Sequence, residues 1–307
     1  MNTHVAKPVF YLFAMLVACT ACDQSTDQDG GSAPPSTSAA ESTAAPPGSK
    51  TVEEKTVSWE CPDDQPTVID ICLGLTPDQV LAALQKHDEK IPIQKATSTY
   101  DYTDGAQKLR TEPFVSRIRA ESNKSDTYFE FHFTAPPGAG KLTHMQRSLG
   151  QEGNNLPAMD ELTNGLVKNY GDPDYRHDGK THNEILRTLR WDFPDGRILC
   201  SDPPPDEVQG GLKGTVSNAT GKVGPSGAVQ IAERLSGKGF PDPAKCTKWL
   251  QIQLRTYAMA EPVRVMNMEL SDFATTWTSA KETFDWLDKQ EAKARKDRLQ
   301  SAEMPDL

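Results

Sequence analysis

Apolar residues from position 75 onward recur with two periods, and the switches between those periods divide the chain into helices and strands. Residues 127–134 carry the clearest period of two: Tyr128, Glu130 and His132 alternate with Phe129, Phe131 and Phe133, which predicts a half-buried strand with its phenylalanine face inward. Residues 115–120 alternate in the same way, Val115, Arg117 and Arg119 against Ser116, Ile118 and Ala120, and residues 91–102, with Ile93 and Tyr100, also read as extended. Residues 141–149 are placed to return beside 127–134 across Pro136-Pro137-Gly138. Further along, 186–193 and 197–200 read as a hairpin over Pro194-Asp195-Gly196, and 248–257 with 263–270 as another over Ala260-Glu261-Pro262.

Helical spacing appears in three places. Thr76-Pro77-Asp78 opens the first helix: Thr76 caps it, Pro77 fits its first turn and Asp78 sits at the positive end of the dipole, with Val80, Leu81 and Leu84 on one face. The second spans 158–170, apolar at Met159, Leu162, Leu166 and Val167 and ended by Gly171-Asp172-Pro173. The third spans 273–300, apolar at Phe273, Trp277, Phe284 and Leu287 and strongly charged after Lys289. Between Cys200 and Cys246 many Gly and Pro residues predict a long loop with a short helix near 229–235. The expected fold class is α+β, with antiparallel sheet backed by helices and a long C-terminal helix. Helix followed by strands occurs twice, which leaves open two related lobes at 58–150 and 151–272, although the halves share no alignable sequence.

The first 57 residues have a different character. After Lys7, the apolar run over 9–18 is too short to span a bilayer, which takes about 20 residues, and it ends in small residues, the pattern of an export signal. Leu16-Val17-Ala18-Cys19 resembles the lipobox of bacterial lipoproteins. That resemblance implies removal of 1–18 as a signal peptide and acylation of Cys19, palmitate included; Cys22 is the alternative anchor, and simple cleavage after Ala21 the alternative processing. Residues 23–57, rich in Ser, Thr, Ala, Pro, Asp and Gly, bury too little surface to offset the entropy of ordering them. Residues 19–57 therefore read as a lipidated Cys and a tether, 58–300 as the globular domain and 301–307 as a tail.

Charge narrows the partners. The net charge is −10, with Lys and Arg scattered, so nucleic acid is excluded as a partner and membrane attachment falls to the lipid alone. The remaining cysteines, Cys61, Cys72, Cys200 and Cys246, suit an exported chain with two disulfides; of the three possible pairings, Cys61 with Cys72 and Cys200 with Cys246 are expected.

A second resemblance rests on two short segments. Leu73-Gly74-Leu75-Thr76-Pro77-Asp78-Gln79-Val80, with Leu84, is similar to the opening of small envelope lipoproteins of the SmpA/OmlA (BamE-like) and β-lactamase-inhibitor-like kind. Lys168-Asn169-Tyr170-Gly171-Asp172-Pro173 is similar to the helix endings of such exported domains. The resemblance implies an antiparallel sheet backed by helices, used for protein contact and without catalysis. The chain departs from the BamE-like pattern in its length and its β-rich second half.

Candidate chemistry is sparse. Pro136 to Lys141 lacks the first Gly and the Ser or Thr of a phosphate loop. Asp172, Asp174, His177, Asp178 and His182 carry the donor types for a divalent ion but match no familiar spacing, and read as a solvated loop. Acid pairs such as Asp202 with Asp206 or Asp63 with Asp64 occur in a chain already rich in acids, and no GxSxG, HExxH or SxxK is present. No cofactor and no enzyme activity are expected. Tyr100 and Tyr102, Trp249 and Tyr257, and Trp277 with Trp286 are interface candidates, with core packing the competing role. The expected function is that of a lipid-anchored, periplasm-facing envelope protein that binds another envelope protein as an adaptor or stabiliser. The alternatives are an inhibitor or immunity lipoprotein against a periplasmic toxin or cell-wall hydrolase, and a wall- or lipid-processing enzyme.

Overall fold

Thr76 begins the first helix, α1 (Pro77–His87), in a reciprocal capping box: its hydroxyl accepts the Gln79 N–H and the Gln79 side chain accepts the Thr76 N–H at 2.9 Å. Val80, Ala83 and Leu84 face inward from it. The computed structural model describes residues 58–122, 127–138, 140–150, 156–181, 183–193 and 243–301.

Among the described residues, ten strands and two further α-helices follow α1. After α1 come β1 (Ile93–Ser98), the short β2 (Asp101–Thr103) and β3 (Lys108–Arg110), then β4 (Phe114–Ser122), β5 (Thr127–Phe133) and β6 (Leu142–Leu149). Helix α2 (Met159–Tyr170) leads into β7 (Tyr175–Thr181), β8 (Glu184–Phe193), β9 (Lys248–Thr256) and β10 (Val265–Asp272), and α3 (Phe273–Ser301) closes the chain. One eight-stranded antiparallel sheet has the order β1-β4-β5-β6-β10-β9-β8-β7, and β2 and β3 form a separate hairpin. The α+β class with an antiparallel sheet backed by helices is as expected from the sequence.

Three expectations are corrected. The extended stretch 91–102 is two strands, because Tyr100 leaves the sheet and exchanges hydrogen bonds with Thr111, N–H to Oγ1 and carbonyl to N–H, both at 2.9 Å. The loop expected after α2 is the edge strand β7, whose polar Arg176, Asp178 and Lys180 suit a strand with one unpaired side. Helix α3 packs not through a stripe of large apolar residues but through Phe273 and the small Ala274, Thr276, Ser279, Ala280 and Thr283, while Phe284 is 36% exposed. Small residues let α3 lie close to the 3-10 turn Pro243–Lys245, to β6 and to β2. The strand expected at 197–200 and the helix near 229–235 lie outside the described residues.

The two halves repeat one topology. Each is a helix followed by a four-stranded meander, β1-β4-β5-β6 and β7-β8-β9-β10, and the halves join through their last strands. Each also ties the segment before its helix to the start of its last strand: the Leu142 N–H donates to the Leu75 carbonyl at 2.8 Å, and the Val263 N–H to the Pro157 carbonyl at 3.0 Å. Aligning these bonds places Leu75 on Pro157, Leu142 on Val263, Val80 on Leu162, Leu84 on Leu166 and Arg147 on Met268. Arg147 and Met268 are also cross-strand partners, so the pseudo-two-fold axis passes through that pair.

The core lies between the sheet and α1 and α2. Phe129, Phe131 and Phe133 are fully buried, as their alternation predicts, and join Leu84, Met159, Leu189, Leu250 and Leu270. No described helix is long and apolar enough to cross a membrane.

Candidate functional site: the polar face of the sheet

A strand that buries one side must show the other, so burial of Phe129, Phe131 and Phe133 turns Tyr128, Glu130 and His132 to the opposite face. The register extends this into rows across the sheet. One row runs Arg119, Glu130, Gln146, Glu269, Gln251 and Arg190; the next runs Arg117, His132, His144, Ser271, Trp249 and Asp192. A third runs Tyr128, Ser148, Asn267, Gln253 and Thr188.

Glu130 is the hub of the first half of this face. It accepts hydrogen bonds from Arg119 Nε at 2.8 Å and from the Tyr128 hydroxyl, lies 2.7 Å from His132 Nε2, and has Arg117 at 3.9 Å. Burial pushes its carboxyl upward, but the hydrogen bonds from His132, Tyr128 and Arg119 outweigh that and hold it far below the usual carboxylate range. The same contact, added to burial, pushes the Tyr128 hydroxyl up to about 12.

Across the seam, His144 Nδ1 lies 2.6 Å from Ser271 Oγ and 4.0 Å from a Glu269 oxygen, with its ring 5.4 Å from that of His132. Ser271 beside His144 has the atoms of a nucleophile and a base, but Ser271 is 1% exposed, so the bond orients His144 rather than offering an attacking oxygen to substrate. On the second half, Arg190 bonds Asp192 at 3.0 Å and stacks 5.0 Å over the Trp249 ring. Burial lowers the affinity of Arg190 for its proton, against the pull of Asp192. Gln146, Glu121 and Arg255 are exposed, and Arg119 keeps 43% of its side-chain surface. The face thus offers paired charges, amides and hydroxyls in register, the groups of a polar contact surface.

The residues singled out from the sequence are dispersed. Cys61 and Cys72 form a disulfide, and Cys246 is disulfide-bonded; Cys200, Cys19, Cys22 and His182 lie outside the described residues. Asp174 accepts the Asp192 N–H at 2.8 Å, His177 stacks on Tyr175 at the sheet edge, and Asp178 pairs with Arg187 and Arg176. They serve separate partners, and among the described residues no group of His, Cys, Asp and Glu could hold a metal ion. Tyr100 and Trp249 are each 8% exposed, which removes both as surface anchors: Tyr100 packs on Phe114 and Trp249 beneath Arg190. Tyr102 lines a groove between the β2–β3 hairpin and the end of α3, with Asp104 and Arg298, and Trp277 is half-buried on α3.

Sequence reasoning missed two clusters. The Glu130 hub needed the pairing of β4 with β5, which alternation within each strand does not give. Buried Arg187 donates to Asp178 at 2.6 Å, to Asp160 at 2.8 Å and to Thr163 at 3.0 Å, clamping α2 to β7 and β8. Its only sequence signal was an Arg on the same strand face as Leu189. No family, curated protein or solved structure matches this chain.

Proposed function

We propose that this chain is an exported, lipid-anchored envelope protein whose domain binds another envelope protein through the polar face of its sheet, as an adaptor or stabiliser and not as an enzyme. The observation that carries the reading is the continuity of that face. Two α-β4 halves are joined edge to edge, so the row around Glu130 runs on across the seam through Gln146 and Glu269 to Gln251. Polar rows of this extent, fixed by a rigid sheet, place many partner contacts at low ordering cost. The lipobox-like Leu16-Val17-Ala18-Cys19 and the Cys61–Cys72 disulfide support export to an oxidising compartment.

The test is photocrosslinking of the full-length protein in its own envelope, with the crosslinker placed singly at Arg119, Gln146 and Arg255, and at Lys296 on α3 as control. One shared crosslinked species from the three sheet positions, missing at Lys296, is the expected result; its identity separates an assembly component from a toxin or hydrolase. No adduct at the sheet positions, or the same adduct at Lys296, would remove the face as the contact surface.

A further inference from the structure

The helix-covered face contains two arginines in opposite circumstances. Arg187 is 2% exposed and every arm of its guanidinium reaches an acceptor: Asp178 at Nε and Nη2, Asp160 and Thr163 at Nη1. Arg147 lies on the same face of the central strand β6, half-buried, and makes neither a hydrogen bond nor an ion pair with any described residue; its Nε is enclosed without a partner. The row it occupies runs Ala120, Phe129, Arg147, Met268, Ile252 and Leu189 across the six inner strands, and Arg147 alone in it is polar. A half-buried cation with its Nε enclosed and unpaired is costly, and native chains keep such groups where they have a use.

The pseudo-two-fold sharpens the point. The position equivalent to Arg147 in the other half is Met268, 5% exposed, which shows what the fold itself asks for there. The guanidinium is stacked 5.4 Å over the Phe129 ring and flanked by the last residues of the two helices, His87 of α1, whose ring meets Phe129 edge-on, and Tyr170 of α2. Burial lowers the affinity of Arg147 for its proton with only Tyr170 acting against it, and the Arg147 charge adds to burial in lowering His87. Tyr170 spends its hydroxyl proton on the Thr67 carbonyl, so it offers no anion to Arg147. Helix C-termini favour a nearby cation but supply no second charge to hold it.

We propose that Arg147 is the anchor of a carboxylate-binding site on the helix-covered face, taking a single carboxylate from a protein partner. A planar fork backed by an aromatic ring fits a planar monoanion, and with one cation and, among the described residues, no second Lys or Arg acting on it, the site suits a carboxylate better than a doubly charged phosphate. This site lies on the opposite side of the sheet from the polar face, and it stands whether or not that face is the contact surface.

The test uses the full chain labelled with nitrogen-15 and follows the Arg147 Nε–H resonance, assigned with Arg147→Met. The probes are N-acetylphenylalanine, which carries an α-carboxylate, and N-acetylglutamate α-amide, which carries a side-chain carboxylate; inorganic phosphate and chloride are the controls. A saturable shift with a carboxylate, about tenfold weaker with phosphate, is expected. It should vanish in Arg147→Met, which copies Met268 and is checked for native circular dichroism, and weaken several-fold in Arg147→Lys, which keeps charge but loses the fork. The stronger of the two probes identifies a chain terminus or an acidic side chain as the source. No saturable shift, an equal response to chloride or phosphate, or a response that survives Arg147→Met in neighbouring resonances would overturn the proposal and leave Arg147 as a partner of the helix ends only.

Discussion

Arg147 and Met268 face each other across the β6–β10 seam and also hold equivalent positions in the two halves. One residue pair thus reports both the symmetry of the fold and the place where it is broken. The seam around it is continuous sheet, with six residue pairs from Met266 opposite Leu149 to Ser271 opposite His144. Breaking the symmetry by charge at this central point, while Leu142 and Val263 keep it at the strand starts, separates what packing requires from what it does not.

The Arg187 clamp predicts an asymmetry between its two ends. Asp178 keeps 41% of its side-chain surface and can be rehydrated if Arg187 is lost, whereas Arg187 is buried and cannot. Asp178→Ala leaves Arg187 only Asp160 and Thr163 and should therefore cost about 2 kcal/mol, below the full cost of an uncompensated buried charge, and Arg187→Leu less than that. The double variant should be more stable than Asp178→Ala alone. Urea denaturation of the three variants measures this order.

Glu130 predicts an acid limb in stability. Its carboxyl is held below its ordinary value of 4.5 in the folded chain, so the unfolded chain takes up the proton first as pH falls. The stability it contributes is complete above about pH 4.5 to 5 and is lost as pH drops below that range. Glu130→Gln should lose about 1.5 to 3 kcal/mol at pH 7, the worth of hydrogen bonds to a charged group, and should differ less from the parent at pH 3. Denaturant midpoints at the two pH values check both the size and the sign.

The helix starts predict changes of opposite sign. Thr76 caps α1 with a full box, while Ala158 at the start of α2 makes no side-chain cap bond although its backbone is extended there. Thr76→Ala should cost about 1 kcal/mol, and Ala158→Ser should add about 0.5 to 1 kcal/mol. Thermal melts of the single variants decide it.

The proposed lipid anchor at the lipobox-like Leu16-Val17-Ala18-Cys19 predicts the attachment chemistry. Cys19→Ala should abolish incorporation of labelled palmitate and leave an unprocessed precursor, while Cys22→Ala should be labelled and processed as the parent is. Labelling in Cys19→Ala that is lost in Cys22→Ala would move the anchor to Cys22.

Legibility from sequence followed the number of neighbours a residue needs. Thr76, Pro77 and Gly171 act within one turn of chain, and the helix ends they mark are where the structure has them. The alternation of Phe129, Phe131 and Phe133 gave the face of β5 without knowing its partners. Edge strand β7 was hidden because one side of it is unpaired and its residues are polar, so no apolar period marks it. The small residues of α3 were hidden for a related reason: close packing selects Ala, Ser and Thr, which a search for large apolar side chains passes over. Arg119 with Glu130, and His144 with Ser271, are contacts between strands, and no periodicity within a strand reports them. The repeat of helix and strands was visible as an order of elements; the matching backbone hydrogen bonds at Leu75 and Pro157 carry no side-chain signature.

The edge-to-edge join has a consequence for how the two halves meet. Each half ends on the strand that completes the sheet of the other, and the strands run antiparallel about one axis, which is the geometry of an isologous dimer. A single half would present that strand to a second copy of itself. Joining the two in one polypeptide makes the encounter intramolecular, independent of how dilute the protein is, and frees the two central positions to differ. A homodimer would be bound to place the same residue twice at its axis; the fused chain can set a cation on one side and a thioether on the other.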